Sequence, residues 1–213
     1  MLLSGAEFDE RLASGELRIA LIGMSNIGKS YTARRIAKAC DFTHYDVDAF
    51  IQERMGNPSM EAMAKWMGQP YEAGYAQRAA EYLELETELT LAANHKDANQ
   101  VLDTTGSVVH IDDDALKVIK NNSLIIYIQA SLDDIDMLTK RFFKYPKPTI
   151  WGDVFRPSDG LSNKQLIQLR YPQLLNARAG LYEMMADITI SATSLSDAKL
   201  ADKGILSLIR QSL

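Results

Sequence analysis

The chain has 213 residues, 46% of them hydrophobic and 24% charged, with 12 glycines and 6 prolines. That composition excludes a disordered tail, a collagen-like fibre and a disulfide scaffold, and the length suits one compact α/β domain. With 23 Lys+Arg against 28 Asp+Glu the formal charge is -5, so there is no overall field for nucleic acid, and none is expected as a partner. The single cysteine, Cys40, rules out an internal disulfide. No apolar run approaches the roughly 18 residues that cross a bilayer, and the start MLLSGAEFDERL lacks the parts of a secretion signal. A cytoplasmic monomer with no membrane contact is the expectation.

Leu3, Phe8 and Leu12 at helical spacing, with Gly15 as a stop, predict a helix over 2–15. Residues 1–16 thus read as a helical extension ahead of a domain over 17–213. Leu17–Ile22 is an apolar run entering Gly23, the form of a buried strand. Lys29–Cys40 turns helical, with Ala33, Ile36, Ala37 and Cys40 on one face. Phe42–Tyr45 reads as a second strand, running into Asp46-Val47-Asp48. Helices follow at 49–55, 59–67 and 72–94, interrupted at Gly56-Asn57-Pro58, and 49–94 is expected to carry the substrate. Further strands lie at Gln100–Asp103, Ser123–Gln129 and Ile188–Ile190, with helices at 113–121, 131–143, 162–185 and 195–210. This alternation predicts a three-layer α/β/α domain around a mostly parallel five-stranded sheet. Residues 144–161 hold three of the six prolines and break the rhythm, as a functional lid would.

Gly23-Met24-Ser25-Asn26-Ile27-Gly28-Lys29-Ser30 fits G-x-x-x-x-G-K-[ST] between a strand and a helix, the context of a phosphate loop. Gly23 and Gly28 permit close approach, and the amides of Ser25, Asn26, Ile27, Gly28 and on through Tyr31 at the helix start can surround phosphate oxygens. Lys29 supplies charge to the β/γ-phosphates, and the Ser30 hydroxyl is placed for Mg²⁺. Nucleotide binding follows. Asp46 and Asp48, two apart at a strand end, would share a strand face beside that loop. One carboxylate would then serve Mg²⁺ and the other would accept a proton from an attacking hydroxyl.

Asp46-x-Asp48-x-x-Ile51-Gln52-x-x-x-Gly56 after GMSNIGKS resembles the D-x-D-x-x-I-E-x-x-x-G of shikimate kinases. The likeness resumes at Thr104-Thr105-Gly106-Ser107-Val108, where that family has a triple-glycine turn. It continues at Arg178–Ile190, similar to R-x-P-L-Y-E-E-x-A-D and the final strand. The resemblance covers about 17–210 and implies a P-loop NTPase, nucleoside-monophosphate-kinase-like fold. It also implies ATP and Mg²⁺ as cofactors and phosphoryl transfer to a hydroxyl of shikimate or a related hydroxylated acid. It makes Lys29 and Asp48 catalytic, puts Asp46 with Ser30 in the metal shell, and gives Asp48, Arg78, Gly106 and Arg178 to the acceptor. Arg141 and Lys147 fall to the nucleotide. The family's F-R-x-x-E arginine is not kept: Tyr75-Ala76 stand in its place, with Arg78 two residues on. These changes leave a nucleotide-binding regulatory relative with degraded kinase activity as the alternative. A signalling GTPase is disfavoured, because Asn163-Lys164-Gln165-Leu166 fails N-K-x-D.

Other patterns read as structural. Met60, Met63 and Met67 form a core stripe, and Trp66 and Trp151 are packing residues. Asp112, Asp113 and Asp114 start a helix. Glu81, Glu84, Glu86 and Glu88 form a solvated face. His44, His95 and His110 lack the spacing of zinc ligands. Asp103, unusual where it stands, is a candidate to join the Mg²⁺ shell.

Overall fold

In the computed structural model, which describes residues 3–56, 59–93, 98–158 and 160–213, strand and helix alternate almost throughout. The expected break at Asn57-Pro58, the outer ends of helices 2–15 and 72–94, His95 and one position of the 144–161 segment lie outside the described residues. The elements run α1 (Gly5–Ser14), β1 (Arg18–Ile22), α2 (Lys29–Cys40), β2 (Thr43–Asp46), α3 (Val47–Arg54), α4 (Met60–Met67), α5 (Tyr75–Ala92), β3 (Gln100–Asp103), α6 (Asp113–Asn122), β4 (Leu124–Gln129), α7 (Leu132–Lys144), α8 (Asn163–Met185), β5 (Ile188–Ser191), α9 (Ala192–Ser196) and α10 (Gly204–Gln211).

The five strands form one sheet in the order β2-β3-β1-β4-β5, and every neighbouring pair is parallel. Central strands of such a sheet are covered on both faces. Accordingly Ile19, Ala20, Leu21 and Ile22 of β1 and Ile125, Ile126, Tyr127 and Ile128 of β4 are all buried. From β1 the chain crosses to β2 on one side, and after β3 it crosses to β4 on the other. That reversal opens a crevice beyond the carboxyl ends of the strands.

Helix α1 is capped by Ser4, which exchanges hydrogen bonds with Glu7, and stopped by Gly15 at φ 78°. It packs into the core through Phe8, 1% exposed. Asn99 ties it to the sheet, accepting from the Leu17 amide and donating to the Leu12 carbonyl. Phe8→Ala should therefore cost about 3–5 kcal/mol of stability in urea unfolding; a change near zero would show that α1 is a detachable appendage.

The continuous helix expected over 195–210 is two helices. Arg35 of α2 donates to the carbonyls of Leu195 and Leu200 and to the Asp202 carboxylate. The backbone between α9 and α10 thus satisfies its acceptors on a side chain instead of continuing the helical ladder.

Candidate active site

At the end of β1 the chain turns through Gly23 at φ 142°. A Cβ there would lie 2.8 Å from the Ile128 carbonyl oxygen of β4, so only glycine fits. Asn26 takes a left-handed φ of 66°, and Ile27 is buried. Helix α2 begins immediately after Gly28 with no side-chain cap. Its first N–H groups, which have no partner inside the helix, are thereby left to an anion. Lys29 is buried and folds back over the loop, its Nζ donating to the carbonyls of Gly23 (2.8 Å) and Met24 (3.0 Å). Burial pulls its ammonium down to about 8, opposed by the charges of Asp103 and Asp48. Ser30 stands beside it in the first turn. The Tyr31 ring is exposed, with the Arg35 guanidinium 5.2 Å from its centroid.

Asp46 and Asp48 both reach this crevice, but not as neighbours on one strand face. Strand β2 ends at Asp46, which caps α3 by accepting from the Ala49 amide at 3.0 Å. Asp48 projects from the first turn of that helix. An aspartate is a favoured N-cap, and as such it turns the chain from β2 into α3. Burial raises the Asp48 carboxyl, while Lys147 and Lys29 pull it down. Lys147 Nζ lies 3.7 Å from Asp48 Oδ2. Asp103, at the end of β3 and opposite Asp46 in the sheet, is almost wholly buried.

The Thr104-Thr105-Gly106-Ser107 turn closes the third side. Its two threonine side chains point into the protein: Thr104 Oγ1 donates to the Leu21 carbonyl (2.8 Å), and Thr105 Oγ1 donates to Glu86. Ser107 Oγ donates to the other oxygen of Glu86 at 2.7 Å. The added hydroxyls therefore replace bare backbone without filling the crevice. Gly106 presses against the phosphate loop, where a Cβ would sit 2.9 Å from the Ser25 amide and against its hydroxyl. The Gly106 carbonyl accepts from Arg178 (2.7 Å) and from the Tyr182 hydroxyl (2.6 Å). Arg178 also donates to Ile150 O at 2.6 Å, and its Nε is buried with no hydrogen-bond partner among the described residues.

Glu86 is the residue that sequence reasoning missed. Placed on a solvated face, it is fully buried on α5, together with Tyr82 one turn earlier. The aromatic and the acid of F-R-x-x-E stand four apart, and Tyr82 and Glu86 meet that spacing against the turn. On that spacing Leu83 would stand where the family has its arginine. Burial pushes the Glu86 carboxyl up to about 7, against hydrogen bonds from Thr105 and Ser107. The folded value exceeds the unfolded one, so the stabilisation is complete below about pH 4 and lost as pH rises through about 7. The loss amounts to something on the order of 3 kcal/mol. Thermal unfolding of the parent should weaken more steeply between about pH 5 and about pH 8 than that of Glu86→Gln; parallel profiles would contradict this.

The segment 145–161 is anchored at its middle. Ile150 and Trp151 are buried, the Tyr75 hydroxyl donates to Thr149 O (2.8 Å), and the Trp151 amide donates to that hydroxyl (3.0 Å). Phe142 stacks on Tyr171 at 3.9 Å, and the Trp151 ring stands edge-on to both. Ser25, Asn26, Lys147, Pro148 and Arg178 line one recess between this segment and the phosphate loop. Two further sequence candidates, Arg141 and Arg78, are not among the residues lining that recess. Arg141 is exposed in an open groove along α7 with Asp133, Asp136 and Lys140. Arg78, expected at the acceptor, donates instead to the carbonyls of Met67 (2.9 Å) and Ala73 (3.3 Å), because the loop before α5 leaves those acceptors open.

The sequence model of the shikimate kinase family matches residues 25–209. A shikimate kinase of Coxiella burnetii is 30% identical over 184 residues, covering 86% of this chain and 88% of that protein. One of Bartonella quintana is 28% identical over 155 residues, covering 72% of this chain and 64% of its own length. Among solved structures, the shikimate kinase from Bacteroides thetaiotaomicron superposes with a TM-score of 0.61 at 18% identity, covering 92% of this chain and 97% of that one. The enzyme from Acinetobacter baumannii in complex with shikimate gives 0.57 at 18% identity, covering 93% and 94%. These two likenesses establish the fold. No helix among the described residues is long and apolar enough to cross a membrane.

Proposed function

Because the chain belongs to the shikimate kinase family, we propose that it transfers the γ-phosphoryl group of ATP to a ring hydroxyl of shikimate. The observation that carries this reading is the meeting of Asp48 with two cations, Lys147 at 3.7 Å and the buried Lys29, at the mouth of the phosphate loop. In this mechanism the loop amides and the start of α2 hold the phosphate tail. The acceptor hydroxyl, oriented by Asp48, attacks the γ-phosphorus, and its proton passes to the Asp48 carboxylate. The bond to the β-phosphate oxygen breaks and ADP leaves. Lys29 and Lys147 offset the charge on the transferred group, which is where most of the catalysis of phosphoryl transfer lies.

The residues suit a divalent cation. Asp46 spends one oxygen capping α3, Ser30 stands at the start of α2, and the buried Oδ1 of Asp103 has no hydrogen-bond partner among the described residues. Ser30 and Asp46 would hold Mg²⁺, which would supply positive charge to offset that of the phosphates.

With Leu83 at the place of the family's second arginine, Arg178 is left to hold the acceptor carboxylate, a task suited to a planar fork. Two of its N–H groups serve carbonyls, and Nε remains for the acceptor. Arg178→Lys should raise KM for shikimate roughly tenfold or more with a smaller change in kcat; an unchanged KM would remove Arg178 from acceptor binding. A coupled ADP-release assay across shikimate, quinate and gluconate tests the activity itself. Turnover should depend on Mg²⁺ and be fastest with shikimate. ADP release no faster with any of them than with water would overturn the proposal.

A further inference from the structure

Three ligand-type side chains gather where spacing along the chain gave no metal motif. His44 and Asp46 are two apart on β2, so they share a face of the sheet, and Asp103 is paired with Asp46 at the end of β3. One donor atom from each of the three lies within 4.8 Å of the others. Donors about 2.1 Å from one ion sit at most about 4.2 Å apart, so small side-chain rotations suffice to bring all three onto one cation.

Asp103 supplies the second observation. Its side chain is 2% exposed, its Oδ1 has no hydrogen-bond partner among the described residues, and its Oδ2 meets a long 3.4 Å contact from His44 Nε2. A buried carboxylate left so poorly satisfied calls for a partner. The nearby Lys29 ammonium is already given to the carbonyls of Gly23 and Met24. A divalent cation would answer both carboxylates, and the His44 imidazole beside them adds a nitrogen donor that an all-oxygen Mg²⁺ site lacks.

We propose that His44, Asp46 and Asp103 together bind a first-row transition cation at the carboxyl ends of β2 and β3, before any nucleotide arrives. Three protein donors leave coordination positions open to water or to phosphate oxygens. The site shares Asp46 with the Mg²⁺ shell named above but does not rest on phosphoryl transfer.

Mn²⁺ added to the nucleotide-free full chain is the probe, followed by electron paramagnetic resonance. One tightly held ion per chain is expected, with hyperfine coupling to a histidine nitrogen in the pulsed spectrum. His44→Gln should abolish that coupling, and both His44→Gln and Asp103→Asn should weaken Mn²⁺ binding at least about tenfold. The inference is overturned if the parent protein holds no Mn²⁺ without nucleotide, if its bound Mn²⁺ shows no nitrogen coupling, or if the folded variants bind as the parent does. The parent spectrum decides the matter even where a variant fails to fold. A chain that binds Mn²⁺ in this way but phosphorylates nothing would keep the cation site and refute the activity. An active kinase without nucleotide-free Mn²⁺ would do the reverse.

Discussion

Asp48→Asn is expected to lower kcat by roughly 100- to 10,000-fold, the usual contribution of a positioned general base, while the Kd for ATP stays near that of the parent. The asymmetry follows from where Asp48 sits. It projects from the first turn of α3 toward Lys147, apart from the loop amides and the start of α2 that hold the phosphate tail. Asparagine keeps the shape and one acceptor oxygen but cannot take the proton of the attacking hydroxyl. Burial raises the Asp48 carboxyl and the two lysines lower it, so occupation of the site by ATP and acceptor changes that balance directly. Steady-state kinetics paired with calorimetric ATP binding separates the two effects. Equal loss of affinity and turnover would move Asp48 to the nucleotide side, and undiminished turnover would remove it from the chemistry.

Lys29→Met should lower kcat/KM by roughly 100- to 1,000-fold, the scale on which a single donor to developing charge is lost, and should weaken ATP binding as well. Stability should not fall with it. Lys29 is a buried ammonium whose burial already pulls it down to about 8, and an apolar side chain of similar length avoids that desolvation. The same shift sets a pH dependence: in the parent, ATP affinity should decline as pH rises above about 8 and Lys29 in the free protein loses its proton. The Lys29→Met protein should show no such decline. A melting temperature several degrees lower in the variant would mean that Lys29 chiefly braces the loop through the Gly23 and Met24 carbonyls.

The parts of this molecule legible in its sequence are those whose determinants are local. The phosphate loop is set within residues 23–30, and the bounds of α2 and β3 fall where apolar periodicity places them. Parallel pairing of five strands follows from helices between strands. What was not legible depends on long-range contacts. Glu86 lies in a run of acidic residues that looks solvated, and only the folding of Thr105 and Ser107 against α5 buries it. The burial of Tyr82 beside Glu86 likewise appears only once α5 is packed. Asp103 joins His44 and Asp46 through strand pairing, not through chain spacing. Retention of Lys29, Asp46 and Asp48 in one crevice argues against a relative with degraded chemistry.

In the proposed mechanism one crevice holds both a triphosphate tail and an acceptor hydroxyl, so that phosphate passes between them and not to water. Phosphorus-31 NMR of the protein with ATP, Mg²⁺ and shikimate tests it most directly. As the γ-phosphate signal of ATP declines, an equal phosphomonoester signal should grow, and neither change should occur at a comparable rate without shikimate. Appearance of inorganic phosphate alone, or an unchanged ATP spectrum, would contradict the account.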